Sequence, residues 1–372
     1  MENQTDSLKK CIYCWYPKAV SEMTLEHAIP QCLGGAHAPD NYKIRNACKQ
    51  CNSNLGLFVD ASFEKSWITS LALAQATRFL AESNPEIISP LVSMGNVQIS
   101  PPGMIDTELC EWWMGSQGEH VILIRPADEN LYWYMGGNPR TMKEKSANAR
   151  AYFFLMDGAD HGKSLSEFKA SFRDRKVRKV MATTVTGVDV TQHGFTSPDA
   201  SDALTIEYLW ANAMSGVELN SKLANRQDFD TRFMCKLALG VSYALFGDRV
   251  FDSPHARELK EGMWYRGEGE PPAISGARPY NSEPEPMLSE FLCEPGAVSV
   301  VVMPNYDKLS LNLCIHQKHF WSIEMAPMAE LTDADKAKIG EGKVITLFKS
   351  LNKGQEYAIE DYMLARVTAR RG

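Results

Sequence analysis

Two Cys-x-x-Cys pairs, Cys11/Cys14 and Cys48/Cys51, constrain this chain more than any other feature. Four thiolates at that spacing satisfy a tetrahedral zinc ion and tie together segments separated by 33 residues. With sulfur at all four positions the zinc is structural. The gap is too long for an ordinary zinc ribbon, so a further element must fold between the pairs. That gap holds Thr24-Leu25-Glu26-His27-Ala28-Ile29-Pro30, then Gly34-Gly35 and Asn41, and Asn52 directly follows the last cysteine. Cys32 lies close by, but a filled tetrahedron has no place for a fifth thiolate; it reads as a free buried cysteine.

An acidic residue beside a histidine, a later asparagine, and another asparagine after the last cysteine form an ordered set. Together with Pro30, Gly34-Gly35 and Leu55-Gly56, the set resembles the HNH family of His-Me finger endonucleases, in the branch braced by a four-cysteine zinc. The resemblance covers about residues 8–65 and implies a ββα-metal fold. It implies His27 as general base, a role that suits an imidazole near neutral pH. It implies Glu26 and Asn52 as oxygen ligands of a catalytic Mg²⁺ or Mn²⁺ ion, and Asn41 as the residue that closes the loop orienting the base. Glu26 stands where aspartate is commoner and adds one methylene of reach.

The rest of the chain sets the frame. Its 372 residues, 44% hydrophobic and 23% charged, suit a globular α+β protein of several domains. The expected division is a nuclease domain over 1–84, a β-rich mixed region over 85–200 and an α+β region over 201–372. Met1-Glu2-Asn3-Gln4-Thr5-Asp6 shows no basic segment followed by an apolar run, and five cysteines are scattered singly. Both suit a cytoplasmic, reducing setting and no membrane. Phe58–Glu82 reads as one helix and Asp228–Phe246 as a core helix. Strands are expected at 97–99, 121–124, 131–134, 151–155, 298–303, 309–315 and 320–325, and a loop over 268–286. Trp112, Trp113, Tyr132, Trp133 and Tyr134 are read mainly as strand and core aromatics, with base stacking as the lesser alternative.

A net charge of -7 argues against a chain coated in positive charge, so nucleic-acid contact must be local. Residues 140–179 carry eleven basic and five acidic side chains, which leaves the remainder at -13. Ser164-Leu165-Ser166-Glu167 reads as a capping box opening a helix. Lys169, Arg173 and Lys176, extended by Arg178 and Lys179, are then the candidate phosphate-tracking face. The reading is a metal-dependent endonuclease hydrolysing phosphodiester bonds in DNA, RNA remaining open, in phage defence, restriction or a mobile element. A protein partner or a homodimer stays open. The alternative is a zinc-ribbon nucleic-acid-binding or adaptor protein without catalysis.

Overall fold

The structure is a computed structural model that describes residues 7–127, 135–136, 149–173, 175–184, 189–282 and 286–371. The strand expected at 131–134, with Tyr132, Trp133 and Tyr134, lies outside them. The architecture is α+β, as expected. Among the described residues no helix is long and apolar enough to cross a membrane.

Contacts group the chain into two compact units. One combines residues 1–64 with 226–372, and the other is 65–225. The sequence reading instead divided the chain at 84 and 200. Periodicity reports local structure, and it carries no sign that residues 226–372 return to the first segment.

The first unit opens with strands Leu8–Lys10 (β1) and Pro17–Ala19 (β2), an antiparallel pair around the first cysteine pair. Met23–His27 (β3) then pairs with Lys43–Cys48 (β4), and helix Lys49–Leu55 (α1) follows at once. Between the strands the chain doubles back tightly at Gly34-Gly35. A Cβ on Gly35 would sit 1.6 Å from the Ile29 carbonyl oxygen, so only glycine fits there. The helix expected over Phe58–Glu82 is divided. A short helix, Ala61–Glu64 (α2), ends this part of the unit, and Ser66 caps a new helix, Trp67–Ser83 (α3), by accepting from the Thr69 N–H. Apolar spacing runs across the break, so periodicity could not show it.

The second unit is built on a six-stranded sheet, Val92–Val97 (β5), Glu108–Met114 (β6), His120–Pro126 (β7), Arg150–Phe154 (β8), Arg178–Met181 (β9) and Ser221–Lys222 (β10), in the order β10-β5-β6-β7-β8-β9. Helix His161–Phe172 (α4) connects β8 to its parallel neighbour β9. Alternate residues of β7 feed opposite faces. Val121 and Leu123 pack with Phe168 and Phe172, while Ile122 and Ile124 pack with Leu209 from helix Ala200–Leu209 (α5). Trp113 belongs to the first core, and Trp112 donates through Nε1 to His120 Nδ1 at 2.9 Å.

Helix α4 begins earlier than expected, capped by Asp160, whose carboxylate accepts from the Lys163 N–H. Ser164 and Glu167 therefore lie inside the helix. Glu167 accepts from the Ser116 hydroxyl and N–H rather than closing a capping box.

Residues 226–372 complete the first unit. Helix Gln227–Phe246 (α6) matches its expected span and is buried on nearly every face. Helix Pro254–Trp264 (α7) follows. A second six-stranded sheet contains Arg278–Asn281 (β11), Val298–Asn305 (β12), Lys308–Ile315 (β13), His319–Pro327 (β14), Lys343–Phe348 (β15) and Lys353–Ala358 (β16), ordered β11-β14-β13-β12-β15-β16. The β12–β13–β14 meander is the expected one. Strand β11 lies inside the stretch expected to be loop.

The Phe63 ring of α2 stacks on Phe233 of α6 at 3.8 Å and meets Trp321 of β14 edge-on at 5.2 Å. This contact joins the two halves of the unit. Gly240, one turn after Lys236, brings α6 so close that its Cβ would lie 3.0 Å from the Ala28 carbonyl oxygen. Phe63→Ala is expected to destabilise the first unit by about 3–5 kcal/mol in chemical denaturation. A loss below about 1 kcal/mol would show that the stack does not bind the halves together.

Candidate metal centre and active site

The structure brings the four expected cysteines together. The sulfurs of Cys11, Cys14, Cys48 and Cys51 all lie within 4.8 Å of one another, the sole such cluster of three or more ligand-type side chains among the described residues. Cys11 and Cys14 come from the turn between β1 and β2, and Cys48 ends β4. Cys51, one turn into α1, completes the set. The Cys48 N–H donates to Cys11 Sγ at 3.3 Å. A hydrogen bond with Cys51, opposed by burial and aided by backbone N–H groups, holds the Cys11 thiol down to about 4. The cluster can hold a metal ion and is compatible with zinc. Cys32 stands outside it, half-buried, and burial raises its thiol pKa.

Strand alternation separates Glu26 from His27. Glu26 points into the unit and is buried, whereas His27 is half-exposed at the end of β3. The Gln31 amide nitrogen lies 3.2 Å from His27 Nδ1, so an N–H donating there holds the ring through the Nδ1 lone pair. Burial lowers the His27 pKa, with Lys43 and Lys236 acting in the same direction against Glu26, so the imidazole is neutral near pH 7. Lys43 is the register partner of His27 and shares its face of the hairpin.

The Glu26 carboxylate is already engaged. Its Oε1 accepts from the Tyr13 hydroxyl at 2.8 Å and lies 3.0 Å from Lys236 Nζ. The same ammonium is 2.5 Å from Asp60 Oδ2. Burial pushes the Lys236 pKa down, but Glu26 and Asp60 outweigh it and hold the value above that of ordinary lysine. Lys236 is therefore an ammonium while only 2% exposed.

Asn52 turns its amide nitrogen to Thr24 Oγ1 at 3.0 Å and to the Leu25 carbonyl at 2.9 Å, clasping β3 from α1. Of the catalytic-ion pair expected from sequence, Glu26 thus offers no free carboxylate as folded, being paired with an ammonium. The Asn52 bonds are made by its amide nitrogen and do not involve Oδ1, the atom a divalent ion would use. Asn41 is exposed at the end of the loop between β3 and β4 and lies against Tyr42 and Glu356, where the Tyr42 hydroxyl donates to Glu356 at 2.6 Å.

Sequence reasoning missed Lys236, Asp60 and Tyr13. The signal for Lys236 was a lysine within the apolar run Phe233-Met234-Cys235-Lys236-Leu237-Ala238-Leu239, a placement a solvated helix would not impose.

Of the candidate phosphate contacts in the second unit, Lys169, Arg173 and Lys176 are exposed. Arg178 is committed to Asp202 at 2.5 Å and Asp199 at 3.2 Å, and Lys179 is half-buried in β9.

Residues 11–68 match the family described as HNH endonuclease. No curated protein and no solved structure matches the chain. The match covers the cysteine cluster, the β3–β4 hairpin, α1 and α2, and supports a nuclease-type function acting on nucleic acid.

Elemental analysis of chelator-washed protein is expected to find one zinc per chain. Cys48→Ser should lose that zinc and lower the thermal stability of the first unit, because structural zinc contributes its binding energy to folding. Undiminished zinc in Cys48→Ser would contradict this ligand set.

Proposed function

We propose that the module over residues 11–68 hydrolyses phosphodiester bonds in DNA with His27 as general base. One observation carries this reading. A neutral, half-exposed imidazole, oriented by Gln31, ends a hairpin braced by four cysteines, inside the segment that matches the HNH endonucleases. The water attacking phosphorus gives its proton to the imidazole of His27, and the imidazolium so formed can return a proton as the cycle closes. Lys43 lies beside His27 and lines a groove of about 640 Å³ shared with His37, Asn352, Lys353 and Gln355. A nucleic-acid backbone entering that groove would meet Lys43 and Lys353 along a wall that also holds Glu294 and Tyr357.

A divalent ion shared by Glu26 and Asn52 forms no part of this proposal, because the Glu26 carboxylate is paired with Lys236. The zinc would brace the hairpin only. That engagement favours a second reading, in which the module binds nucleic acid without cutting it. Purified protein incubated with plasmid and with single-stranded RNA, with and without Mg²⁺ or Mn²⁺, separates the readings and the substrates. Roles in restriction, phage defence or a mobile element fit either reading.

His27→Ala is expected to lower DNA cleavage by roughly 10²–10⁴-fold while leaving zinc content and the folded state intact. Unchanged cleavage would remove His27 from the mechanism. Phosphate contact by the second unit is assigned to Lys169 and Lys176, since Arg178 is held by two aspartates. Lys169→Ala with Lys176→Ala should lower the slope of log affinity against log salt by roughly two, about 0.9 per phosphate contact. The loss should be alike for all sequences, and an unchanged slope would show this face to be merely solvated.

A further inference from the structure

We infer that the Lys236 ammonium is the resident cation of the centre behind His27, and that it closes the carboxylate pair Glu26 and Asp60 to a divalent ion. The inference deepens the nuclease reading, but it rests on side-chain geometry and not on turnover.

The two carboxylates converge on one nitrogen, Glu26 Oε1 at 3.0 Å and Asp60 Oδ2 at 2.5 Å, so these oxygens are no more than 5.5 Å apart. Tyr13 closes a third side. Its hydroxyl donates to Glu26 Oε1 and its ring centroid lies 5.7 Å from Nζ. Two negative charges and one positive leave the cluster short of one positive charge, and the buried Asp60 Oδ1 has no hydrogen-bond partner. That is the donor set of a cation site, with an ammonium at its centre.

A divalent ion at Glu26 would face this ammonium at close range in a desolvated setting, where like charges repel strongly. The ammonium cannot readily withdraw. Lys236 and Gly240, one turn apart, share the face of α6 that meets the module, and Gly240 approaches Ala28 as closely as packing allows. Removing the ammonium would leave two buried carboxylates facing each other, an arrangement stabilised by binding a hard divalent ion such as Mn²⁺ or Mg²⁺.

The test is Mn²⁺ titration followed by electron paramagnetic resonance on the full zinc-loaded chain. Wild type, Glu26→Gln, Lys236→Met and Lys236→Met with Glu26→Gln are compared, and circular dichroism checks their folding. Wild type is expected to bind no Mn²⁺ that Glu26→Gln removes. Lys236→Met should gain one Mn²⁺ per chain with at least tenfold higher affinity, and the double variant should lose it. One wild-type Mn²⁺ abolished by Glu26→Gln would overturn the inference, as would a folded Lys236→Met chain that gains none. Should Lys236→Met fail to fold, the wild-type and Glu26→Gln titrations decide alone. None of these readouts depends on cleavage, so a failure here is distinct from a failure of the nuclease proposal.

Discussion

The first unit depends on a buried ammonium. Lys236 reaches from a helix in the second half of the chain to Glu26 and Asp60 in the first, and its side chain is only 2% exposed. Burying three charged groups is costly, and only their mutual pairing offsets it. Removing one partner of such a set typically costs about 3–5 kcal/mol, because an uncompensated charge stays behind. The hairpin that presents His27 is therefore held from behind by a helix far along the sequence.

Two other ties act on the same hairpin. The cysteine cluster pins β4 and α1 to the β1–β2 turn, and the Phe63–Phe233 stack seats α2 on α6. Period-two alternation in β3 then assigns the two faces different work. Glu26 goes inward to the charge cluster and His27 outward beside Lys43. Asn52 joins the same structural side, since its amide fastens α1 to β3. The chemistry left on the open face is that of the histidine and its cationic neighbours.

Much of this was legible in the sequence, and the limits have physical causes. The four cysteines could be read because metal ligation imposes a spacing that few other constraints produce. Helix α6 and the β12–β13–β14 meander could be read because their apolar patterns are long and regular. The break after Glu64 was hidden, since Phe63, Trp67 and Leu71 keep helical spacing across it. Strand β11 was hidden by the prolines and glutamates around it; it is an edge strand paired with β14. The Glu26–Lys236 pair joins residues whose proximity follows only from tertiary packing, and Glu26 viewed alone carries the same chemistry as a metal ligand. Arg178 is similar: it looked like part of a basic face, and the aspartates that claim it stand at the start of α5.

Anomalous diffraction from crystals soaked in Mn²⁺, recorded on both sides of the zinc and manganese edges, tests the central claim most directly. The account expects a zinc peak among Cys11, Cys14, Cys48 and Cys51, with Lys236 Nζ in contact with Glu26 and Asp60 and no manganese between them. A manganese peak between Glu26 and Asn52, with Lys236 displaced, would contradict it.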